Sequence, residues 1–118
     1  MARFSPSELE YLQGERRLGR LATIDPAGRP HVVPLGWSYN ADLGTIDISG
    51  RDFAATKKFR NVTANPNVGF VVDDVLPPWQ PRAVMVQGRA AALHAEEGNG
   101  NQAMIRIIPE KITSWGLA

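Results

Sequence analysis

Three residues near the middle of the chain have the chemistry to hold an anion. Apolar residues recur at helical spacing over Phe53–Val62, with Asp52 placed to cap the helix. At about 100° per residue, Ala55, Phe59 and Val62 share one face, while Thr56, Lys57 and Arg60 gather on the other with Asn61 at its margin. A hydroxyl, two cations and the unpaired amides of a helix start can converge on one phosphate group. The same pattern describes a solvated basic face, so residue types alone leave both readings open. Little else in the chain offers chemistry of its own. Cysteine is absent, which removes disulfides, thiolate metal sites and cysteine nucleophiles together. The two histidines, His31 and His94, lack metal-ligand spacing and read as structural or exposed. No serine occupies a nucleophile elbow. Asp73 and Asp74, as neighbours on a strand, point to opposite faces and cannot chelate as a pair. The expectation is a site with no catalytic side chain and no metal.

Two features could accommodate a flat ring. Pro34 interrupts an otherwise regular strand, which predicts an edge position or a bulge. With Gly36 and Gly50 it leaves little side-chain bulk, so a planar ligand could approach the backbone; a simple barrel bend fits equally well. Trp37, Trp79 and Trp115 are many tryptophans for a short chain, and they suit a core, an aromatic-lined pocket or a subunit interface.

The elements that must position these residues are mostly strands. Ser5-Pro6-Ser7-Glu8 is a capping box opening a short helix that ends at Gly14. Leu18–Ile24 and His31–Tyr39 read as a hairpin closed by Asp25-Pro26-Ala27-Gly28. Asn40–Gly44 is a second turn, and Thr45–Gly50 alternates polar and apolar like a strand buried on one face. Beyond the helix, Val68–Val72 and Val84–Ala90 are strands separated by a proline-rich loop over Asp73–Pro81. A flexible loop is expected over Ala95–Gln102, then a strand at Met104–Ile108 and a tail, Ile112–Leu117, that returns along the sheet. Together these predict a mainly β fold: a six-stranded antiparallel, Greek-key-like barrel with two short helices.

The 118 residues suit a single domain spanning 1–118. One core of that size leaves no room for a deep pocket, so a large ligand belongs in a surface groove or between subunits. Lys plus Arg number 13 against 12 Asp plus Glu, a formal charge of +1 that argues against nucleic-acid binding by bulk basicity. No apolar run approaches the ~18 residues of a membrane span, and no signal-peptide layout is present, so a soluble cytoplasmic protein is expected.

The ordered set Leu18-Gly19-Arg20-Leu21-Ala22-Thr23, Gly28-Arg29-Pro30-His31-Val32-Val33-Pro34-Leu35, Thr45-Ile46-Asp47-Ile48, Thr56-Lys57-Lys58-Phe59-Arg60-Asn61, Asn65-Pro66-Asn67-Val68, and Ile105–Glu110 with Ser114-Trp115-Gly116-Leu117 resembles the pyridoxamine 5′-phosphate oxidase-like split-barrel family. It is most similar there to the short flavin/deazaflavin oxidoreductases that use coenzyme F-420. The resemblance runs from about Leu18 to Leu117. It implies a split β-barrel homodimer with two cofactor grooves at the subunit interface, acting on a small organic molecule. It places Val32, Val33, Pro34 and Leu35 along the cofactor ring, and Ile48, Ser49 and Gly50 beside it. Lys57 would contact the phosphate, with Arg60 and Asn61 near it, and Gln87 and Trp115 would approach from later strands. Beside these, Thr56 is expected at the phosphate from its place on the helix face, and Trp79 or Trp115 near the bound ring. The longer pyridoxamine-phosphate oxidases carry a C-terminal substrate-binding segment not seen here, so oxidation of that vitamin is not expected. Hydride transfer belongs to such a cofactor, which accounts for the missing catalytic side chains. Arg16, Arg17, Arg20, Lys57 and Lys58 could attract the oligoglutamate tail of coenzyme F-420. FMN is the alternative cofactor, and a non-catalytic flavin or haem carrier is the reading from another class.

Overall fold

A computed structural model describes residues 1–95 and 102–117, so most of the loop expected over Ala95–Gln102 lies outside the described residues. In chain order the elements are α1 (Pro6–Gln13), β1 (Gly19–Ile24), β2 (Pro30–Leu35), β3 (Ser38–Asn40), β4 (Thr45–Ser49), a single 3-10 turn (Phe53–Ala55), α2 (Lys57–Ala64), β5 (Asn67–Leu76), β6 (Gln80–Leu93) and β7 (Met104–Trp115). The strands form one curled antiparallel sheet in the order β2-β1-β5-β6-β7-β4-β3. This is the split barrel the residue order resembles, with seven strands where six were expected. The extra strand arises because His31–Tyr39 is not continuous. It breaks at Gly36 and Trp37, and its halves pair on opposite edges of the sheet. Trp37 fills the corner: its indole N–H donates to the Arg17 carbonyl at 2.8 Å, and its ring meets Phe70 edge-on at 5.8 Å.

The interior of the curl is aliphatic. Leu21, Val72, Val84, Ile46, Ile48, Ile105 and Ile107 are the centre of the core. Helix α1 opens on the expected capping box, Ser5 N–H to Glu8 Oε1 at 2.8 Å and Glu8 N–H to Ser5 Oγ at 3.2 Å. The Glu8 carboxylate also accepts from Ser114 Oγ at 2.6 Å, which ties the helix to the end of β7.

Three expectations need correction. The loop over Asp73–Pro81 is largely strand, because β5 continues to Leu76 and β6 begins at Gln80. Adjacent aspartates are poor strand formers, but each is held from its own face: Asp73 by Arg20, Asp74 by Arg17 and Arg82. The separate tail is also absent, since Met104–Trp115 is a single strand. It tolerates Pro109 through a β-bulge where Gln87 pairs with Lys111 but Gly88 with Pro109. Finally, β4 is buried on both faces. Its polar face is occupied by Asp47, which accepts from Arg106 Nε and Nη2, both at 3.1 Å, from Asn40 Nδ2 at 3.0 Å and from Thr45 Oγ1 at 2.9 Å. Among the described residues no helix is long and apolar enough to cross a membrane.

Burial alone pushes the Asp47 carboxyl up, but its hydrogen bonds from Arg106, Asn40 and Thr45 outweigh that and hold it below the usual carboxylate range. A folded-state value below the unfolded one stabilises the protein above pH ~4, and the contribution is lost as pH falls below that. Asp47→Asn should therefore shrink the difference between urea midpoints measured at pH 7 and pH 3.

Candidate functional site

The expected anion-binding helix begins later than its apolar spacing implies. Asp52 takes a left-handed conformation (φ +49°) and makes no capping bond. The chain turns once through Phe53–Ala55 and restarts at Thr56, whose hydroxyl donates to the Phe53 carbonyl at 2.7 Å and accepts from Phe59 N–H at 3.3 Å. Thr56 is thus the cap of α2 rather than a free ligand group, and Ala55 lies outside the helix, exposed. Arg60 N–H bonds the Thr56 carbonyl, so the amides of Lys57 and Lys58 are the α2 donors left without a helical acceptor.

Side chains around those amides divide. Lys57 is half-exposed, and its ammonium lies 4.0 Å from Asp25 Oδ2 in the β1–β2 turn. Lys58 leans over the Phe53 ring at 5.1 Å. Arg60 folds back to the Ala55 carbonyl at 2.6 Å. Asn61, expected at the margin of the outer face, is buried and donates from Nδ2 to Thr23 Oγ1 at 3.0 Å. Its role is to fasten α2 to β1.

Strand β2 forms one edge of the sheet, as Pro34 indicated. The bond from Asp25 N–H to the Arg29 carbonyl sets the ladder parity: odd-numbered residues of β2 bond β1, and Pro30, Val32 and Pro34 direct their backbone outward. Two of these are prolines, so the free edge carries a single amide donor, at Val32. Val32 and Pro34 are exposed, whereas Val33 and Leu35 are partly buried, on the face they share with Leu21 and Gly19 of β1. Ile48 is a fully buried core residue; only Ser49 and Gly50 beyond it are accessible. Gly36 and Trp37 lead from β2 into β3, which pairs with β4 from Ser38 opposite Asp47 to Asn40 opposite Thr45. A 440 Å³ cavity beside Gly50 runs along the 3-10 turn toward α2.

Across the outer face, Val32, Ala22, Gly69 and Gln87 stand in one cross-strand row. The two small residues leave a shallow 360 Å³ trough that Gln87 borders. Trp79 and Trp115 are elsewhere. Trp79 is at the tip of the β5–β6 hairpin, three-quarters exposed, and Trp115 pairs with Ala83 near its base. Phe59 of α2 packs on His94 at 5.2 Å between rings, past the other end of β6. From Ala83 to His94 is roughly 35 Å of extended chain. One chain therefore does not bring the tryptophans and Lys57 together.

Sequence reasoning missed the cluster at the hairpin base. Asp74 accepts from Tyr11 Oη, Arg17 Nε and Arg82 Nε at 2.9–3.0 Å, and both guanidinium groups stack on the Tyr11 ring. The Arg82 hydrogen bond is the main cause holding the Asp74 carboxyl far below its ordinary range. Burial, then the bond to Asp74, pushes the Tyr11 hydroxyl up to about 12. Arg17 and Arg20 are paired with Asp74 and Asp73.

What remains is two amides without a helical acceptor and the half-exposed Lys57 at the start of α2, a single edge donor at Val32, and a trough without bulk. The family model described as pyridoxamine 5′-phosphate oxidase matches residues 6–116. A 5a,11a-dehydrotetracycline/5a,11a-dehydrooxytetracycline reductase from Streptomyces rimosus is 42% identical over 97% of this chain and 84% of its own length. Among solved structures, an FAD-binding protein from Mesorhizobium loti superposes with a TM-score of 0.70 at 23% identity, covering 94% of this chain and 92% of that one. An F-420 reductase does so with a TM-score of 0.68 at 20% identity, covering 88% and 94%.

The two faces of α2 should respond differently to truncation. Asn61→Ala leaves the buried Thr23 hydroxyl without its partner and should cost about 1–3 kcal/mol in chemical denaturation. Lys57→Ala removes a half-exposed side chain and should leave the midpoint nearly unchanged.

Proposed function

This chain belongs to the pyridoxamine 5′-phosphate oxidase family, and from that premise we propose that it is a coenzyme F-420-dependent reductase of an unsaturated organic substrate, working as a homodimer. That it is an oxidoreductase follows from its relatives; cofactor, substrate and assembly are our reading. What supports it is the start of α2, where the Lys57 ammonium stands 4.0 Å from Asp25 in the turn that leads into the bare-edged strand β2. The 42% identical reductase acts on dehydro compounds, which supports addition of hydride to an unsaturated framework here as well. The deazaflavin supplies the hydride chemistry when bound. The chain's own task is then positional. Lys57 and the amides of Lys57 and Lys58 hold the phosphate, Val32 N–H fixes the ring against the β2 edge, and Ala22 and Gly69 let it lie flat. FMN carries a phosphate that the same cradle could hold, so it is the ligand to compare.

The separation of Trp79 and Trp115 from Lys57 supports the dimer. A two-fold partner can deliver its own hairpin end to the groove, closing the ring off from water. Exposed Val32, Met85, Ile108 and Trp115 offer apolar surface for that contact. We expect an interface above the ~2,000 Å² common to obligate pairs. Sedimentation showing a stable folded monomer at micromolar concentration would remove the two-chain site.

Cofactor titration tests the cradle. Lys57→Ala should lose one charge-assisted contact, about 1.5–3 kcal/mol, or roughly ten- to 150-fold in affinity. Lys58→Ala, whose side chain rests on Phe53, should weaken binding much less. Equal losses would indicate a diffuse basic field, and no loss at Lys57 would move the phosphate away from α2.

A further inference from the structure

Lys57 has a carboxylate beside it that cannot swing away. Asp25 Oδ2 lies 4.0 Å from the ammonium, while Oδ1 accepts from the amides of Ala27 and Arg29, both at 2.9 Å. The turn is locked again through its main chain, with Gly28 N–H on the Asp25 carbonyl at 2.8 Å. The Asp25 side chain is only 17% exposed, which weakens its screening by water. A phosphate oxygen bonded to Lys57 at about 2.8 Å would stand within roughly 7 Å of this fixed charge, inside the Debye length at physiological salt.

We infer that Asp25 is a charge filter on the anion site, favouring a phosphate with one negative charge over a phosphate with two. Lys57 and the two free amides offset the first charge. A second charge meets Asp25, and Arg60, on the same face of α2, is already engaged by the Ala55 carbonyl. The inference rests on the cofactor reading above and narrows it. A phosphodiester, as in coenzyme F-420, carries one charge, whereas the phosphomonoester of FMN carries nearly two at neutral pH. Asp25 thus selects between two ligands whose rings and phosphates are otherwise alike.

The test compares charge at constant ring chemistry. Parent protein and Asp25→Asn are titrated with FMN, with its phosphate monomethyl ester, and with riboflavin, following tryptophan emission and calorimetric heat. Asparagine keeps the turn acceptor, and an unchanged urea midpoint confirms the fold; Asp25→Ser, which also retains an acceptor, serves if that midpoint falls. The variant should bind FMN about three- to ten-fold more tightly, the methyl ester by about the square root of that factor, and riboflavin as before. Equal gains for FMN and its ester, or no gain for either, would overturn the charge filter while leaving the phosphate site intact. If neither phosphate compound binds the parent protein better than riboflavin does, the phosphate site itself fails, and the filter with it.

Discussion

Leu35 and Ser38 are three peptide steps apart, yet they belong to opposite edges of a seven-strand sheet. Three steps of extended chain reach about 11 Å, whereas seven strands laid flat would measure roughly 29 Å across. The link at Gly36 and Trp37 is satisfied only if the sheet curls until its edges nearly meet. The remaining architecture follows. Aliphatic residues of β1, β4, β5, β6 and β7 are enclosed, Trp37 plugs the corner, and β2 is left without a second neighbour. The gap in the barrel thus leaves the outer main chain of β2 uncovered.

Side-chain polar contacts organise the two ends of the molecule. At one end, Asp74 gathers Tyr11, Arg17 and Arg82, binding α1 and the hairpin base into one unit. At the other, the β1–β2 turn and α2 are joined by Asn61 to Thr23 and, more loosely, by Lys57 to Asp25. Anion chemistry and exposed aromatic surface thus occupy separate ends of the long strands. In the proposed dimer, a two-fold axis would bring one chain's hairpin end toward the other chain's Lys57.

Local signals in the sequence were dependable where the physics is local. The capping box at Ser5 and Glu8, the Asp25 turn and the edge position of Pro34 each depend on a few adjacent residues, and all are present. The misreadings have non-local causes. Asp73 and Asp74 look like a loop until arginines from β1, β6 and the segment before β1 engage them. Pro109 looks like a terminator until Gly88 on the facing strand permits a bulge. On α2, the apolar spacing located the inward residues Phe59 and Val62, but it could not show that Thr23 awaits Asn61 from below. Of the candidate site, Lys57 was legible as an outward-facing position; within Val32–Leu35 the exposed residues Val32 and Pro34 were not separated from Val33 and Leu35, because the run was read as one stretch while a strand alternates faces.

The prolines of β2 have a second consequence, concerning association between molecules. An open sheet edge with regular donors and acceptors is a template for another strand, and proteins that leave one uncovered risk edge-to-edge aggregation. Here the outward amides at positions 30 and 34 are missing, and the opposite edge, β3, is only three residues long. An incoming strand would find one donor where a ladder needs several. The barrel can therefore stay open along β2 while remaining a poor surface for growing a sheet.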